Sequence, residues 1–293
     1  MSTETLAPSV RETQISTPET VEPALKEALH SFYDLPFDPQ FNELCVSRGL
    51  NPEDTGKPAY WEAAADFASS TPNAENGEDE KYSALKELFA ATPDFIYQQK
   101  ILEHESHKYA AHNVYQNARE RASYYNGLIR HVAQEWPDIR ASVLATSLMN
   151  VVNISIERTD IKQSSLQGIR ETIRGAQHEL AFGQLLAHTG RDFRSANVGE
   201  DLHGIDYVVS DPNGSTILID VKASQHTLER RGSSMQPYIR SLDGQLTMSS
   251  LVTDTELNDR FFVSERLAVQ RAETLNRILT EASSPQSRTI WLT

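Results

Sequence analysis

The chain has 293 residues, of which 39% are hydrophobic and 23% charged, and its formal net charge is −14. These values are ordinary for a soluble protein of one large or two modest domains, and no apolar run approaches the length of a membrane span. The first residues have neither a basic start nor an apolar stretch, and the single cysteine, Cys45, excludes an internal disulfide framework. We therefore expect a cytoplasmic protein with no membrane partner.

The negative charge is concentrated at the N-terminal end. Residues 1–80 hold 16 acidic and 4 basic side chains, and the rest of the chain is close to neutral. Residues 1–25 are rich in Thr, Glu, Ser and Pro and predict a disordered tail, whereas residues 26–80 predict a weakly helical acidic segment that ends in a linker. A tethered anionic segment would compete with an anionic partner such as nucleic acid for basic surface, so removal of residues 1–80 should raise the affinity for that partner. The alternatives are that the segment is solvated and remote, or that residues 26–70 pack on the core and the deletion unfolds the chain.

Residues 81–160 have a helical pattern that is interrupted near Thr92-Pro93 and Trp136-Pro137. The region mixes tyrosines with basic side chains, a composition that fits either nucleic-acid binding by stacking and charge or ordinary helix packing. The side chains concerned are Tyr109, Tyr115, Tyr124, Tyr125, Lys108, Arg119, Arg121 and Arg130.

A further helix is predicted from Ser165 to Gly190, because apolar residues recur there near helical spacing and Gly190 suits a helix C-cap. Glu179 lies in the last half of this helix and, taken alone, would be a solvated helix charge. The segment from Arg191 to Gly199 can supply a strand, and Ser264 to about Ala282 predicts an amphipathic helix near the end of the chain.

Residues 205–222 predict two short strands joined by a tight turn. Asp211-Pro212-Asn213-Gly214 has the residue preferences of a type I turn, and a left-handed Gly214 makes a three-residue loop that ends in a bulge. Asp211 then pairs with Ser215 and, counting back, Asp206 lies opposite Asp220. A loop of two or four residues would instead place these two aspartates on different faces of the sheet.

In the predicted register Asp206, Asp220 and Lys222 share one face, because side chains alternate along a strand. The other face is apolar or aromatic and should be buried; it carries Tyr207, Val209, Ile217, Ile219 and Val221. Two opposed carboxylates repel each other unless a cation lies between them, and Mg²⁺ or Mn²⁺ prefers such oxygen ligands. The alternative is an exposed face on which Lys222 simply neutralises the aspartate pair.

Gly204-Ile205-Asp206, followed after thirteen residues by Asp220-Val221-Lys222 at the end of an apolar strand, resembles the core of the PD-(D/E)xK nuclease superfamily. That superfamily includes restriction endonucleases, Mrr-like nucleases and archaeal Holliday-junction resolvases. The continuation Lys222-Ala223-Ser224 is similar to the resolvase-like branch. Ile205 stands where many members have proline. The resemblance covers roughly residues 165 to 265.

The resemblance implies an α/β fold class: a mixed central sheet with flanking helices, a restriction-endonuclease-like core, over residues 161–293 after an all-helical N-terminal region. It implies that Asp206, Asp220, Glu179 and the Val221 carbonyl hold Mg²⁺ or Mn²⁺, and that Lys222 positions the attacking water. The activity implied is that of a magnesium-dependent endonuclease that cleaves DNA. An RNA nuclease and an inactive binding or structural module of the same fold are the alternatives.

Basic residues around this motif are candidates for contacts with phosphates, although scattered surface arginines would look the same. They are Arg191, Arg194, Arg230, Arg231 and Arg240, with the hydroxyl of Ser224 as a further candidate. Many members of the superfamily act as dimers, so a homodimer is an open alternative.

Overall fold

The computed structural model describes residues 18–55, 57–70, 79–104, 112–157, 165–210, 216–223 and 245–282. Its helices in these ranges are α1 (Pro18–Asp34), α2 (Pro39–Ser47), α3 (Pro58–Ser70), α4 (Asp79–His104), α5 (His112–Glu135), α6 (Ala141–Glu157), α7 (Ser165–His188), α8 (Val198–Asp201), α9 (Asp254–Leu257) and α10 (Glu265–Ala282). The strands are β1 (Phe193–Ser195), β2 (Tyr207–Ser210), β3 (Thr216–Lys222) and β4 (Gln245–Ser249), and a 3-10 turn spans Leu35–Phe37.

The predicted α/β fold class, with a mixed central sheet as its organising layer, is wrong. Helices contain most of the described residues, and the strands, of three to seven residues each, form a small sheet. The reason lies in where the apolar side chains fall: the largest buried cluster comes mostly from helices α1 to α7. The sheet is therefore an addition to a helical body.

The N-terminal helices belong to that body. Phe41, Tyr60 and Trp61 of α2 and α3 are almost fully buried, and the rings of Tyr60 and Trp61 meet edge to face at 4.8 Å. Helix α1 begins at Pro18, inside the segment whose composition predicts a tail, and Val21 and Leu25 are buried. Helices α1 to α3 therefore contribute to the core and are not a solvated acidic extension.

The two predicted breaks in the helical region have different outcomes. Pro93 lies inside α4, so the break expected near Thr92-Pro93 is wrong. Thr92 is buried there, and its hydroxyl donates to the Leu88 carbonyl at 2.7 Å. The second break is confirmed, because α5 ends at Glu135 and α6 begins at Ala141.

Helix α7 has nearly the bounds that the sequence predicts, and Gly190 after it has the left-handed φ of 70° expected near a helix C-terminus. Its first half, with Ile169 and Ile173, packs into the helical core. Its second half, with Phe182 and Leu185, packs against the sheet and α10. One helix thus joins the two hydrophobic clusters.

The sheet has the order β1-β2-β3-β4; β1, β2 and β3 are antiparallel, and β4 is parallel to β3. Tyr207 pairs with Ile219 and Val209 with Ile217, which confirms the predicted register of the hairpin. The predicted apolar face is also confirmed as buried, against α7 and α10. Gly214 and the turn around it lie outside the described residues. In the described part of the chain, no helix is long and apolar enough to cross a membrane.

Candidate functional site

The hairpin brings two aspartates together at the end remote from its turn. Asp206 directly precedes β2, and its backbone N–H donates to the Ile219 carbonyl at 2.7 Å. Its Oδ2 accepts a hydrogen bond from the backbone N–H of Val221 at 2.6 Å. Asp220 precedes Val221 in β3. Both aspartates are buried, with Asp206 7% exposed and Asp220 fully inaccessible.

Lys222 lies beside this pair. Its ammonium group donates to Oδ1 of Asp220, and the lysine side chain is only 12% exposed. The contact is the one that strand alternation predicts, because residues 220 and 222 share a face of β3. The interpretation of an exposed face that carries a neutralised pair does not fit this burial. Charged side chains are removed from water here, and such groups need compensation.

Glu179 reaches the same cluster from α7. Its Oε2 accepts a hydrogen bond from Nη1 of Arg130, on α5, at 2.9 Å, and both side chains are largely buried. The Tyr207 hydroxyl donates to the Glu179 backbone carbonyl at 2.8 Å, which ties α7 to the start of β2. A close approach at Gly183 permits this contact, since a Cβ there would lie 2.5 Å from the Tyr207 hydroxyl oxygen.

One face of α5 holds the segment that precedes Asp206. Ser123 donates to the carboxylate of Asp201, and Arg119 donates to the carbonyl of Leu202. Arg119, Ser123 and Arg130 recur at spacings that put them on one side of a helix. In the sequence, Arg119 and Arg130 belong only to a mixed aromatic and basic pattern, and nothing there connects them with Glu179. About fifty residues separate Arg130 from Glu179, and no local spacing predicts such a contact.

The electrostatics of the cluster are unusual for carboxylates. Burial raises the pKa of Asp206 well above its ordinary value, and the nearby charges of Glu179 and Asp220 raise it further against the opposing effect of Lys222. Burial also raises the pKa of Glu179, although Arg130 opposes the shift. Perturbed carboxyl groups that gather in one place are characteristic of functional sites.

The charge balance favours a divalent cation. Four carboxylates interact in this cluster with two cationic groups, and their formal charges sum to −2 when all six are ionised. The carboxylates are Glu179, Asp201, Asp206 and Asp220, and the cationic groups are Arg130 and Lys222. Carboxylate oxygens suit Mg²⁺ or Mn²⁺. In the ranges that the structure describes, however, no three acidic, histidine or cysteine side chains converge as a ready ligand set. A cation here would therefore use two carboxylates, the Val221 carbonyl and water.

The candidate phosphate contacts have mixed outcomes. Ser224, Arg230, Arg231 and Arg240 lie outside the described residues. Arg191 is bound to α10, where it donates to Asn276 at 2.8 Å and to Thr280 at 2.7 Å. Arg194 makes two hydrogen bonds with Glu200 at 2.6 and 2.7 Å. At least two nitrogens of each guanidinium group are thus engaged, which argues against Arg191 and Arg194 as phosphate ligands.

The aromatic and basic mixture on α5 is partly explained by packing. Tyr125 is buried and stacks on Phe95 with ring centroids 4.1 Å apart. Arg121 donates to Asp94 at 2.6 Å and to Glu62 at 2.9 Å, which joins α5 to α3 and α4. The stacking role considered for Tyr125 is therefore excluded by its burial.

A separate cleft of about 560 Å³ lies between the α5–α6 connection and the segment that joins α9 to α10. Its lining includes Gln134, Asp138, Glu256 and Arg260. None of the buried carboxylates around Asp206 lines it. Volume alone therefore does not identify the chemically distinctive part of this molecule, and we take the charged cluster as the candidate site.

A scan against protein-family models found no match for this chain, and searches of the curated proteins and of the solved structures found none either. The geometry of the site and the resemblance of its motif are therefore the grounds for a functional proposal.

Proposed function

We propose that this protein is a metal-dependent phosphodiester hydrolase that acts on DNA. The observation that carries the proposal is the burial of Asp206 and Asp220 at one end of the hairpin with the ammonium group of Lys222 beside them. Burying charged groups is costly, and a lysine alone does not balance the carboxylates that gather here. A site of this composition is expected to bind a cation and to act on an anionic substrate.

The donor set suits a hard divalent ion. Asp206, Asp220 and the Val221 carbonyl would hold it, and Glu179 would contribute through a water molecule. Magnesium bound there supplies a Lewis acid that stabilises negative charge on the phosphate and lowers the pKa of bound water. Lys222 engages Oδ1 of Asp220 in the present arrangement, and an ionised carboxylate has a second oxygen through which it can bind an ion.

The remaining work falls to the side chains of the chain itself. Lys222 would orient the attacking water or donate to a phosphate oxygen, since its flexible stem lets the ammonium group reach either. Arg130 holds the Glu179 carboxylate in place, and the Tyr207 hydroxyl fixes the backbone at Glu179. These contacts preorganise the site before substrate arrives.

The order of Asp206, Asp220 and Lys222, with Glu179 on the preceding helix, supports the proposal by its resemblance to PD-(D/E)xK nucleases. This resemblance lies in the arrangement of the four side chains, and the architecture of the sheet does not contribute to it. DNA is preferred to RNA because the members named above act on DNA. A homodimer stays a prediction, as do the RNA nuclease and the inactive binding module.

The proposal is tested by incubating the purified chain with plasmid DNA or structured RNA in Mg²⁺, Mn²⁺ or EDTA. Cleavage of DNA that EDTA abolishes supports it, whereas cleavage of RNA alone supports the RNA nuclease. Binding without turnover supports the inactive module. Glu179→Gln should slow cleavage, and Glu171→Gln, an exposed substitution on the same helix, should not.

A further inference from the structure

Arg130 is placed to contact more than Glu179. It lies on α5, in the helical region before the hairpin. Its guanidinium group interacts electrostatically with the carboxylates of Glu179, Asp201 and Asp206. Within the described ranges its hydrogen-bond partner is Glu179, which it contacts through Nη1. A guanidinium group has five N–H donors in a planar fork, so Nε and Nη2 remain available beside the cluster.

The helix surface at Gly127, one turn before Arg130, has unfilled space around it. Gly127 precedes it by three residues and therefore lies on the same side of α5. A Cβ placed at Gly127 would meet nothing within 4 Å, so packing does not demand a glycine there. Glycine in the middle of a helix costs about 0.5–1 kcal/mol relative to alanine.

We propose that Arg130 binds a phosphate of the nucleic-acid backbone, so that the helical region supplies part of the substrate site. This inference rests on the proposed function. Arginine suits the role because its fork matches phosphate oxygens in two parallel hydrogen bonds. Arg130 also offsets the negative charge of Glu179 and Asp201, which would otherwise repel a polyanion from the site.

The test uses fluorescence anisotropy of a labelled DNA duplex, with Ca²⁺ in place of Mg²⁺ to limit cleavage. The affinity of the parent chain is measured from about 50 to about 200 mM salt, because each phosphate contact contributes about 0.9 to the slope of log K against log salt. Arg130→Gln should lower the affinity about tenfold and reduce the slope by about 0.9. Arg130→Lys should keep most of the slope, because it keeps the charge.

The matched control is Arg48→Gln, which also removes an arginine that pairs with a carboxylate, Asp66, at 2.8 Å. It should leave the slope unchanged. A merely structural role for Arg130 would lower the active fraction but would not change the salt slope of the folded protein.

A second pair of variants leaves Arg130 itself unchanged. Gly127→Glu puts a carboxylate three residues before Arg130, where it competes for the guanidinium group, whereas Gly127→Gln fills the same space without charge. The first should bind DNA more weakly than the second, with a smaller salt slope.

The inference is overturned if folded Arg130→Gln shows the same salt dependence of DNA affinity as the parent. If Arg130→Gln does not fold, equal DNA affinities of the two Gly127 variants overturn it. In both cases the parent can still cleave DNA, so the proposed function survives. A parent chain that neither binds nor cleaves DNA overturns both proposals.

Discussion

Oδ2 of Asp206 accepts a hydrogen bond from the backbone N–H of Val221. The bond holds the Asp206 carboxylate, which directly precedes β2, against β3 at the residue that follows Asp220. The bond partly compensates the burial of Asp206, but the charges of Glu179 and Asp220 act against it. The native site therefore holds the proton of Asp206 more tightly than the unfolded chain does.

Asp206→Asn should stabilise the metal-free protein near neutral pH. The native pKa of Asp206 is raised above its unfolded value, so its stabilising contribution is present below the unfolded pKa, near 4, and is lost as pH rises through the native pKa. Asparagine keeps an acceptor for the Val221 N–H but carries no charge. Thermal unfolding without metal should give a higher Tm for the variant at pH 7 to 8 and a difference that shrinks toward pH 4. A lower Tm for the variant at neutral pH would contradict the electrostatic account.

Asp220→Ala and Lys222→Ala should differ in metal affinity. Only the aspartate is a ligand, so its loss should weaken Mn²⁺ binding at least tenfold, whereas loss of the lysine should spare the affinity or raise it by freeing Asp220. Isothermal titration calorimetry with Mn²⁺ measures both. Equal losses in the two variants would mean that the lysine, too, maintains the site, and would refute the division of roles.

Gly183→Ala should destabilise the fold and disturb Glu179. The added methyl group would lie 2.5 Å from the Tyr207 hydroxyl oxygen, and Tyr207 is buried and bonded to the Glu179 carbonyl. Overpacking of this kind costs about 1–3 kcal/mol. Gly168→Ala, on the same helix, is the control because its methyl group would meet nothing within 4 Å. Denaturant unfolding should show a loss of stability in the first variant and none in the second; equal stabilities would show that Tyr207 can move aside.

Deletion of residues 1–80 should unfold the protein, because it removes α1 to α3 with the buried Phe41 and Trp61. The electrostatic effect expected from the acidic N-terminal region is better tested by substitution. Glu22, Glu27 and Glu43 are exposed, and their change to glutamine should leave the fold intact. The triple variant should bind DNA more tightly than the parent at low salt, with the difference fading as salt rises. Equal binding at low salt would refute autoinhibition by these charges.

The hairpin could be predicted from the sequence because its signals are local. The turn residues and the alternation from Tyr207 to Val221 specify register and faces without reference to the rest of the chain. Helix α7 and its end at Gly190 are local in the same way. These elements place Asp206, Asp220 and Lys222 together. The expectation for Glu179 comes from the resemblance and not from local signals, and this side chain reaches the cluster because α7 packs against β3.

The fold class and Arg130 could not be predicted in this way. The number of helices that share the large core depends on contacts far apart in the chain, and a short motif carries no information about them. Thr92-Pro93 predicts a helix break, yet α4 continues through Pro93, and Thr92 is buried. Arg130 reaches Glu179 only because α5 packs on α7, which no residue spacing in either helix indicates.

Cleavage of supercoiled plasmid in Mg²⁺ by the parent chain and by Asp220→Ala, with Asp192→Asn as an exposed control, tests the central claim most directly. The site proposed here predicts that the parent and the control nick or linearise the DNA, that EDTA stops them, and that folded Asp220→Ala leaves the plasmid intact. Cleavage by Asp220→Ala at the parental rate would contradict the assignment of this site.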